Sequence, residues 1–381
     1  MKFIAKYGIG FYLIITVLFK LHFIIPHALV NVLYQILMAL GGLLFFVFYN
    51  QLMQSKNLKA FKLLYFIVFF NVLYLLVFNF NTTSVLYIIA KFSTANLIAF
   101  GIIFNYHLYK NFFKKYFKYI IAVVLFLGYT FAGIVENTSE LQRLSMGFNP
   151  NDIGLFGALG VLSVLMFNSN IYKNKIDIIL LLGFMLLTLL SGSKAALLNL
   201  AIGFIFIYGF TPKILGIAFS FFLVFLITPQ LGYTTGIERL LSNEGSFSTR
   251  DKVFEIGLQT LNDSYFVGHG IDKYAWTNPK YWPSTEDALG PHNTYLSIGI
   301  MYGAINGTLF ILMLLAVLVK ALISYFKIRD EFVRFCALII LLTFVNGFFE
   351  SLIVGINEFI TVLFWFAVGV LGYYKLNYKK C

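Results

Sequence analysis

The sequence is poor in charge. Only 12% of its residues are Asp, Glu, Lys or Arg, where a soluble globular domain carries about a quarter. That shortage excludes a water-soluble fold for 381 residues. Cysteine is nearly absent: Cys336 lies in an apolar run and Cys381 is the last residue. Neither a disulfide framework nor a thiolate metal site is expected from such a pair. The chain also lacks an H-E-x-x-H sequence, a D-x-D-type cluster, a Walker loop and a dinucleotide fingerprint, so no signature of a metal or nucleotide cofactor is present. Nor is a cleavable signal peptide expected. Met1–Lys6 is a short basic start, but the apolar run behind it is long enough to span and carries no A-x-A-like site.

What is there is hydrocarbon. The chain is 60% hydrophobic, with 45 Phe and a mean hydropathy of +0.85. Runs of about 20 apolar residues give twelve candidate spans: 8–25, 27–49, 61–79, 84–105, 119–135, 153–168, 177–191, 195–210, 214–229, 292–319, 335–352 and 357–373. The expected fold is an all-α polytopic membrane protein of about twelve transmembrane helices, a single integral membrane domain over residues 1–381. Residues 231–291 form its one large extracytoplasmic loop, too long for an ordinary connection.

The net charge of +12 suggests nucleic acid, but the distribution of the basic residues argues for the membrane surface instead. With the N-terminus inside, 19 of the 28 Lys and Arg fall in inner connections and seven in outer ones. Both termini are then cytoplasmic and the long loop faces out. No nucleic-acid partner is expected.

Against that depletion, the outer basic residues stand out. Arg143, Lys194, Arg239 and Arg250, with Lys91 reaching up from its span, each read singly as a surface or snorkelling charge. Converging on one cavity, they suit a diphosphate. Lys194 closes the four-residue turn SGSK between two spans, and Arg143 sits in a polar loop ahead of the turn-forming Asn149-Pro150-Asn151. In the long loop, Ser248 and Asp251 fit a capping pattern, with Phe254, Leu258 and Leu261 as the apolar stripe. Arg250 would then lie in the first turn, where helix N–H groups also favour an anion. Trp276 and Trp282, later in the loop, suit either the bilayer surface or stacking on sugar rings.

His292 stands where the loop re-enters the bilayer, ahead of Asn293, Tyr295 and the evenly spaced Gly299, Gly303 and Gly307. Those glycines predict a flat face for another helix. His292 reads as a general base, a hydrogen-bonding residue or an inert interfacial one. Glu350 and Glu358 lie at the outer end of the last hairpin, Glu350 on one face with Asn346. They are candidates for acid–base work, or partners of Lys91 or Lys20. Asp152 is expected to cap a helix.

The pattern resembles the bacterial O-antigen polymerase and O-antigen ligase superfamily. The resemblance rests on FNPNDIG at 148–154, SGSK at 191–194, FSTRDKVF at 247–254, YFVGHG at 265–270 and PHNTYLSIGIMYG at 291–303. It covers most of the chain beyond about residue 130. It implies glycan transfer from an undecaprenyl-diphosphate carrier at the outer face of the bacterial plasma membrane, with no cofactor, metal or nucleotide sugar. It assigns catalysis to His292, Arg250 and Arg239. The family's basic turn residue falls on Lys194, where the family more often has Arg; Arg143, Asn151, Asn293, Tyr295 and Glu350 join Lys194 as substrate-binding candidates on this chain's own pattern. The expected partners are the lipid-linked glycan and the bilayer, with a chain-length regulator and a flippase of the same pathway as candidates. Lys outnumbers Arg, and Asn, Ile and Phe are abundant, as in an AT-rich genome. That composition favours a capsule-type polymerase over a ligase. The competing class is a lipid-linked oligosaccharide flippase or transporter, which would be expected to place its cations along a path inside the bundle.

Overall fold

A computed structural model describes residues 1–21, 24–78, 81–132, 148–168, 174–209, 216, 247–271 and 291–378, with backbone alone at 77–78, 132 and 247–251. These residues are helical, with turns and short irregular joints between helices. In chain order the helices are α1 Lys2–Lys20, α2 His27–Val47, α3 Tyr49–Met53, α4 Ser55–Phe78, α5 Thr82–Lys115, α6 Phe117–Ala132, α7 Pro150–Phe167, α8 Lys175–Leu190 and α9 Lys194–Tyr208. They continue with α10 Phe247–Asp263, α11 Thr294–Lys327, α12 Glu331–Asn346 and α13 Phe359–Asn377.

A helix lies in eleven of the twelve expected spans, and the twelfth, 214–229, falls outside the described residues apart from Gly216. Seven described helices are long and apolar enough to cross a membrane: α1, α2, α4, α5, α7, α11 and α13. The 16-residue α8 and α12 reach only about 24 Å at 1.5 Å per residue, against a hydrocarbon core of about 30 Å. Outward faces carry exposed Phe46, Leu76, Phe126, Ile179 and Leu312, as suits helices solvated by lipid.

The chain forms two compact units. The first comprises Met1–Phe19, His27–His107 and Ser248–Cys381; the second comprises Lys20–Pro26 and Leu108–Phe247. In the second, α7 is the central helix. Gly154, Gly157 and Gly160 line one of its faces, and a Cβ on Gly160 would fall 2.6 Å from the Phe184 ring of α8. Small residues let backbones approach where no hydrophobic effect drives helices together. At the other end of α8, Lys118 and Asp177 form an ion pair at 2.5 Å with side chains 8% and 2% exposed. Asn168 and Asn174 also donate to the Asp177 carboxylate.

In the first unit α12 and α13 pair closely, and α13 also packs on α4. Its largely aliphatic core includes an aromatic cluster: Tyr302 and Phe310 stack with centroids 5.2 Å apart, and Phe70 and Tyr74 abut Tyr302.

The first unit also holds the main departure from expectation. Helix α11 is 34 residues long, but its backbone breaks at Gly303, with φ 73° and ψ 177°. The break turns the helix back on itself. A Cβ on Gly307 would stand 3.3 Å from the Gly299 Cα, whereas residues eight apart on a straight helix are separated by about 12 Å. The three glycines therefore do not present a flat face to another helix. Gly303 makes the turn, and Gly299 and Gly307 close on each other across it.

The turn 265–270 fills the break. His269 N–H donates to the Ile300 carbonyl, Gly270 N–H to Met301, and Ala304 N–H to Tyr265. The Tyr74 hydroxyl meets the Val267 and Met301 carbonyls, both at 2.7 Å. Backbone groups that a broken helix leaves unpaired are thus satisfied. Gly268, at φ 81°, lies so close that its Cβ would stand 2.5 Å from the Met301 oxygen.

Helix α10 differs from expectation as well. It starts at Phe247, so Ser248 lies inside the helix. Its buried face is Val253, Ile256, Gly257 and Thr260, while Phe254 and Leu258 point outward.

Candidate active site

The mouth of α11 is built by a four-residue run, Pro291 to Thr294. Asn293 caps the helix, its side-chain oxygen accepting from Tyr295 and Leu296 N–H, both at 3.0 Å. A cap of this kind holds the first turn in register. His292, one residue outside, adopts φ 47°, in the left-handed region that non-glycine residues seldom occupy. That conformation projects the imidazole to Glu350: His292 Nδ1 and Glu350 Oε2 are 3.1 Å apart, with side chains 35% and 28% exposed. The pair is therefore both held and accessible.

Glu350 does not extend α12, as the expected span 335–352 implied. That helix stops at Asn346, and 347–358 run as consecutive tight turns. Glu350 N–H donates to the Asn346 carbonyl, Leu352 N–H to Glu350, and Val354 N–H to Leu352. Thr294 clamps these turns to the mouth of α11. Its N–H donates to the Gly347 carbonyl at 2.7 Å, and its hydroxyl lies 2.8 Å from the Glu350 carbonyl and 2.8 Å from Leu352 N–H. Ser297 and Ser351 hydroxyls meet at 2.9 Å, and the Tyr295 hydroxyl donates to the Phe344 carbonyl at 2.8 Å. Residues 58 apart in sequence are thus fixed against each other by backbone and side chain alike.

Lys91 approaches the same turns from α5. It donates to the Gly355 carbonyl at 2.6 Å and lies beside the Tyr87 ring. The expected alternatives for Glu350, an ion pair with Lys91 or with Lys20, give way to the contact with His292. Lys20 pairs with Asp152 at 2.9 Å.

The second unit arranges its own set. Asn149, not Asp152, caps α7: its side chain accepts from Asn151 N–H at 2.9 Å, and Pro150 occupies the first helical position. Asp152, in the first turn, is left to pair with Lys20. Ser193 caps α9 and makes Lys194 the first residue of that helix, half-buried. The SGSK turn packs on the start of α7, where a Cβ on Gly154 would fall 2.6 Å from Ser191 Oγ and 2.8 Å from Ser193 Cβ. Two of the sequence pieces behind the resemblance, 148–154 and 191–194, are therefore neighbours.

Helix α10 carries Arg250 in its first turn, as expected. Arg143, Arg239, Trp276 and Trp282 lie outside the described residues. Two other histidines have structural partners: His269 Nε2 meets the Thr260 carbonyl at 2.6 Å, and His107 meets the Tyr378 hydroxyl at 3.0 Å. Thr294 and Ser351 were not singled out in the sequence. Only the position of Thr294 beside His292 and Asn293 hinted at a role.

The geometry thus gives the first unit an imidazole oriented by a carboxylate at a helix mouth, and the second unit a cation at the N-terminus of α9. Residues 178–311 match the family model described as O-antigen ligase. The matched segment takes in the SGSK turn, α10, the 265–270 turn, His292 and the break in α11, and it bears out the resemblance to the O-antigen ligase and polymerase superfamily. No curated protein matches the chain. Members of this superfamily are glycosyltransferase-like membrane enzymes acting on lipid-linked glycans, and the apolar helices agree with a multi-pass membrane protein.

Proposed function

We propose that this protein polymerises undecaprenyl-diphosphate-linked repeat units into a capsule-type polysaccharide at the outer face of the plasma membrane. The observation that carries the reading is the His292–Glu350 contact, of which His292 lies inside the segment that matches the O-antigen ligase family and Glu350 beyond its end. With Nδ1–H donated to the Glu350 carboxylate, Nε2 is the acceptor nitrogen. It takes the proton of an acceptor sugar hydroxyl as that oxygen attacks the anomeric carbon of the donor glycan. The bond from that carbon to the diphosphate oxygen breaks, and undecaprenyl diphosphate leaves with the electron pair. Glu350 stabilises the imidazolium that forms. Arg239, Arg250 and Lys194 are assigned to the charge developing on the diphosphate, and Arg143 and Asn151 to substrate binding. Asn293 and Tyr295 are assigned to the acceptor sugar. One direct displacement inverts the anomeric centre. The energy comes with the substrate, since no nucleotide is required.

The test is the initial rate of glycan extension by purified protein saturated with lipid-linked repeat units. His292→Ala is expected to lower it by about a hundred- to ten-thousandfold, the usual contribution of a general base. Glu350→Gln, which keeps the shape but loses the charge, lowers it by about tenfold or more. A His292→Ala rate within about threefold of wild type refutes the assignment. A deletion strain separates polymerase from ligase: single lipid-linked repeat units without long glycan mark a polymerase, and full-length glycan that fails to attach marks a ligase.

A further inference from the structure

A lysine inside a membrane-spanning helix is expensive to keep and is usually tied to function. Lys91 is 9% exposed, and the reaction as written above does not use it. Its surroundings show what holds it. Nζ donates to the Gly355 carbonyl at 2.6 Å and lies 3.5 Å from the Ile353 carbonyl. The Tyr87 ring centroid is 5.2 Å away. The rest of its neighbourhood is an apolar cavity lined by Leu64, Ile67, Ala95 and Trp365 among others. The ammonium is directed at backbone oxygens of the 350–358 turns.

Those turns need holding. Ile353 adopts φ 71°, an outlier conformation for a β-branched residue, which persists only where neighbours over-determine it. Three side chains do so from α5 and α13. Trp365 Nε1–H donates to the Ile353 carbonyl at 3.1 Å, Ile353 N–H donates to Thr361 Oγ1 at 3.2 Å, and the Tyr87 hydroxyl donates to the Val354 carbonyl at 2.5 Å. Thr361 in turn donates to Glu358 Oε2 at 3.0 Å. Three residues upstream, through the Val354–Leu352 and Leu352–Glu350 backbone bonds, stands the carboxylate that meets His292.

We propose that Lys91 is a positioning residue: by tying the Gly355 and Ile353 carbonyls to α5, it sets the turns that present Glu350 to His292. It acts on the base through Glu350 and does not bind the diphosphate. This rests on the glycosyl-transfer reading above. A lysine suits the task because its three N–H donors sit on a slim stem that threads an apolar cavity.

The test is a double-mutant cycle on purified protein in nanodiscs, using lipid-linked repeat units extracted from a strain that lacks the protein. Lys91→Met is expected to lower kcat by about five- to twentyfold with KM for the lipid-linked donor unchanged. A role at the diphosphate would raise KM instead and would overturn the proposal. In a Glu350→Gln background, Lys91→Met should add less than about twofold, because both changes remove one orientation of His292. General destabilisation would multiply the two losses, and a multiplicative result overturns the proposal. If Lys91→Met protein does not accumulate, Trp365→Phe replaces it. That change removes the donor to the Ile353 carbonyl together with part of the ring that lines the Lys91 cavity, leaves the ammonium in place, and carries the same expectations for the Glu350→Gln cycle. A wild-type rate in Glu350→Gln overturns the reading of the site and this proposal together; a clear Glu350→Gln loss with multiplicative behaviour overturns this proposal alone.

Discussion

Replacing Gly303 with alanine tests the break in α11 directly. At φ 73° and ψ 177° the backbone lies in a region that is essentially glycine-only, and forcing an L-residue there costs about 1–3 kcal/mol. The added Cβ would also stand 2.5 Å from the Phe266 carbonyl carbon and 2.7 Å from Gly268 N. Both are backbone atoms and cannot rotate away, so the 265–270 turn must withdraw. Withdrawal loses the His269–Ile300, Gly270–Met301 and Ala304–Tyr265 bonds, at about 0.5–1.5 kcal/mol each. The expected loss is therefore about 3–7 kcal/mol. Unfolding in mixed micelles with increasing SDS measures it. Gly299→Ala is the near control, since its Cβ makes only ordinary contacts with Leu261 at 3.5 and 3.6 Å. Gly183→Ala is the far control, with nothing within 4 Å, and should stay within about 1 kcal/mol of wild type. Gly303→Ala protein as stable as Gly183→Ala protein refutes the break and the fold-back that depends on it.

Two further outcomes are expected. Lys118→Met leaves the buried Asp177 carboxylate without its cation, and should destabilise the protein by about 3–5 kcal/mol in the same SDS titration. Lys118→Met with Asp177→Asn should recover most of that loss. The charge distribution predicts that a cysteine at Lys252 is labelled in intact cells by an impermeant thiol reagent while one at Lys115 is silent, in a background lacking Cys381. The reverse pattern overturns the orientation.

The helices were legible because lipid demands long apolar runs, and that demand is written residue by residue. Their interior contacts were not. Phe254 and Leu258 read as the buried stripe of α10, yet they are exposed while Val253 and Ile256 are covered. In a chain with a membrane to face, an apolar residue does not say whether its neighbour is protein or lipid. The Gly299–Gly303–Gly307 spacing failed for a related reason: it records that a backbone comes near, not whose backbone, and the sign of φ has no sequence mark. His292 and Glu350 were both picked out by chemistry, one for its place at the loop's return and one as a carboxylate in an apolar hairpin. Sequence treated them as alternative bases. The turns after Asn346, which only tertiary contacts specify, make them partners.

The 265–270 turn has one more consequence, for how the protein can vary. Ile271 is buried beside the break in α11, and Pro291 is buried at the other end of the 294–302 half-helix. At 1.5 Å per residue those anchor points stand roughly 10–14 Å apart, whatever joins them. The joining stretch, 272–290, begins and ends on fixed stations that are independent of its length. Doubling such a closed segment costs only about 0.6 kcal/mol in chain entropy. Insertions, deletions and wholesale exchange of 272–290 should therefore be nearly neutral for folding and leave His292 where it is. Variation in 272–290 would leave the mouth of α11 and its His292–Glu350 contact in place.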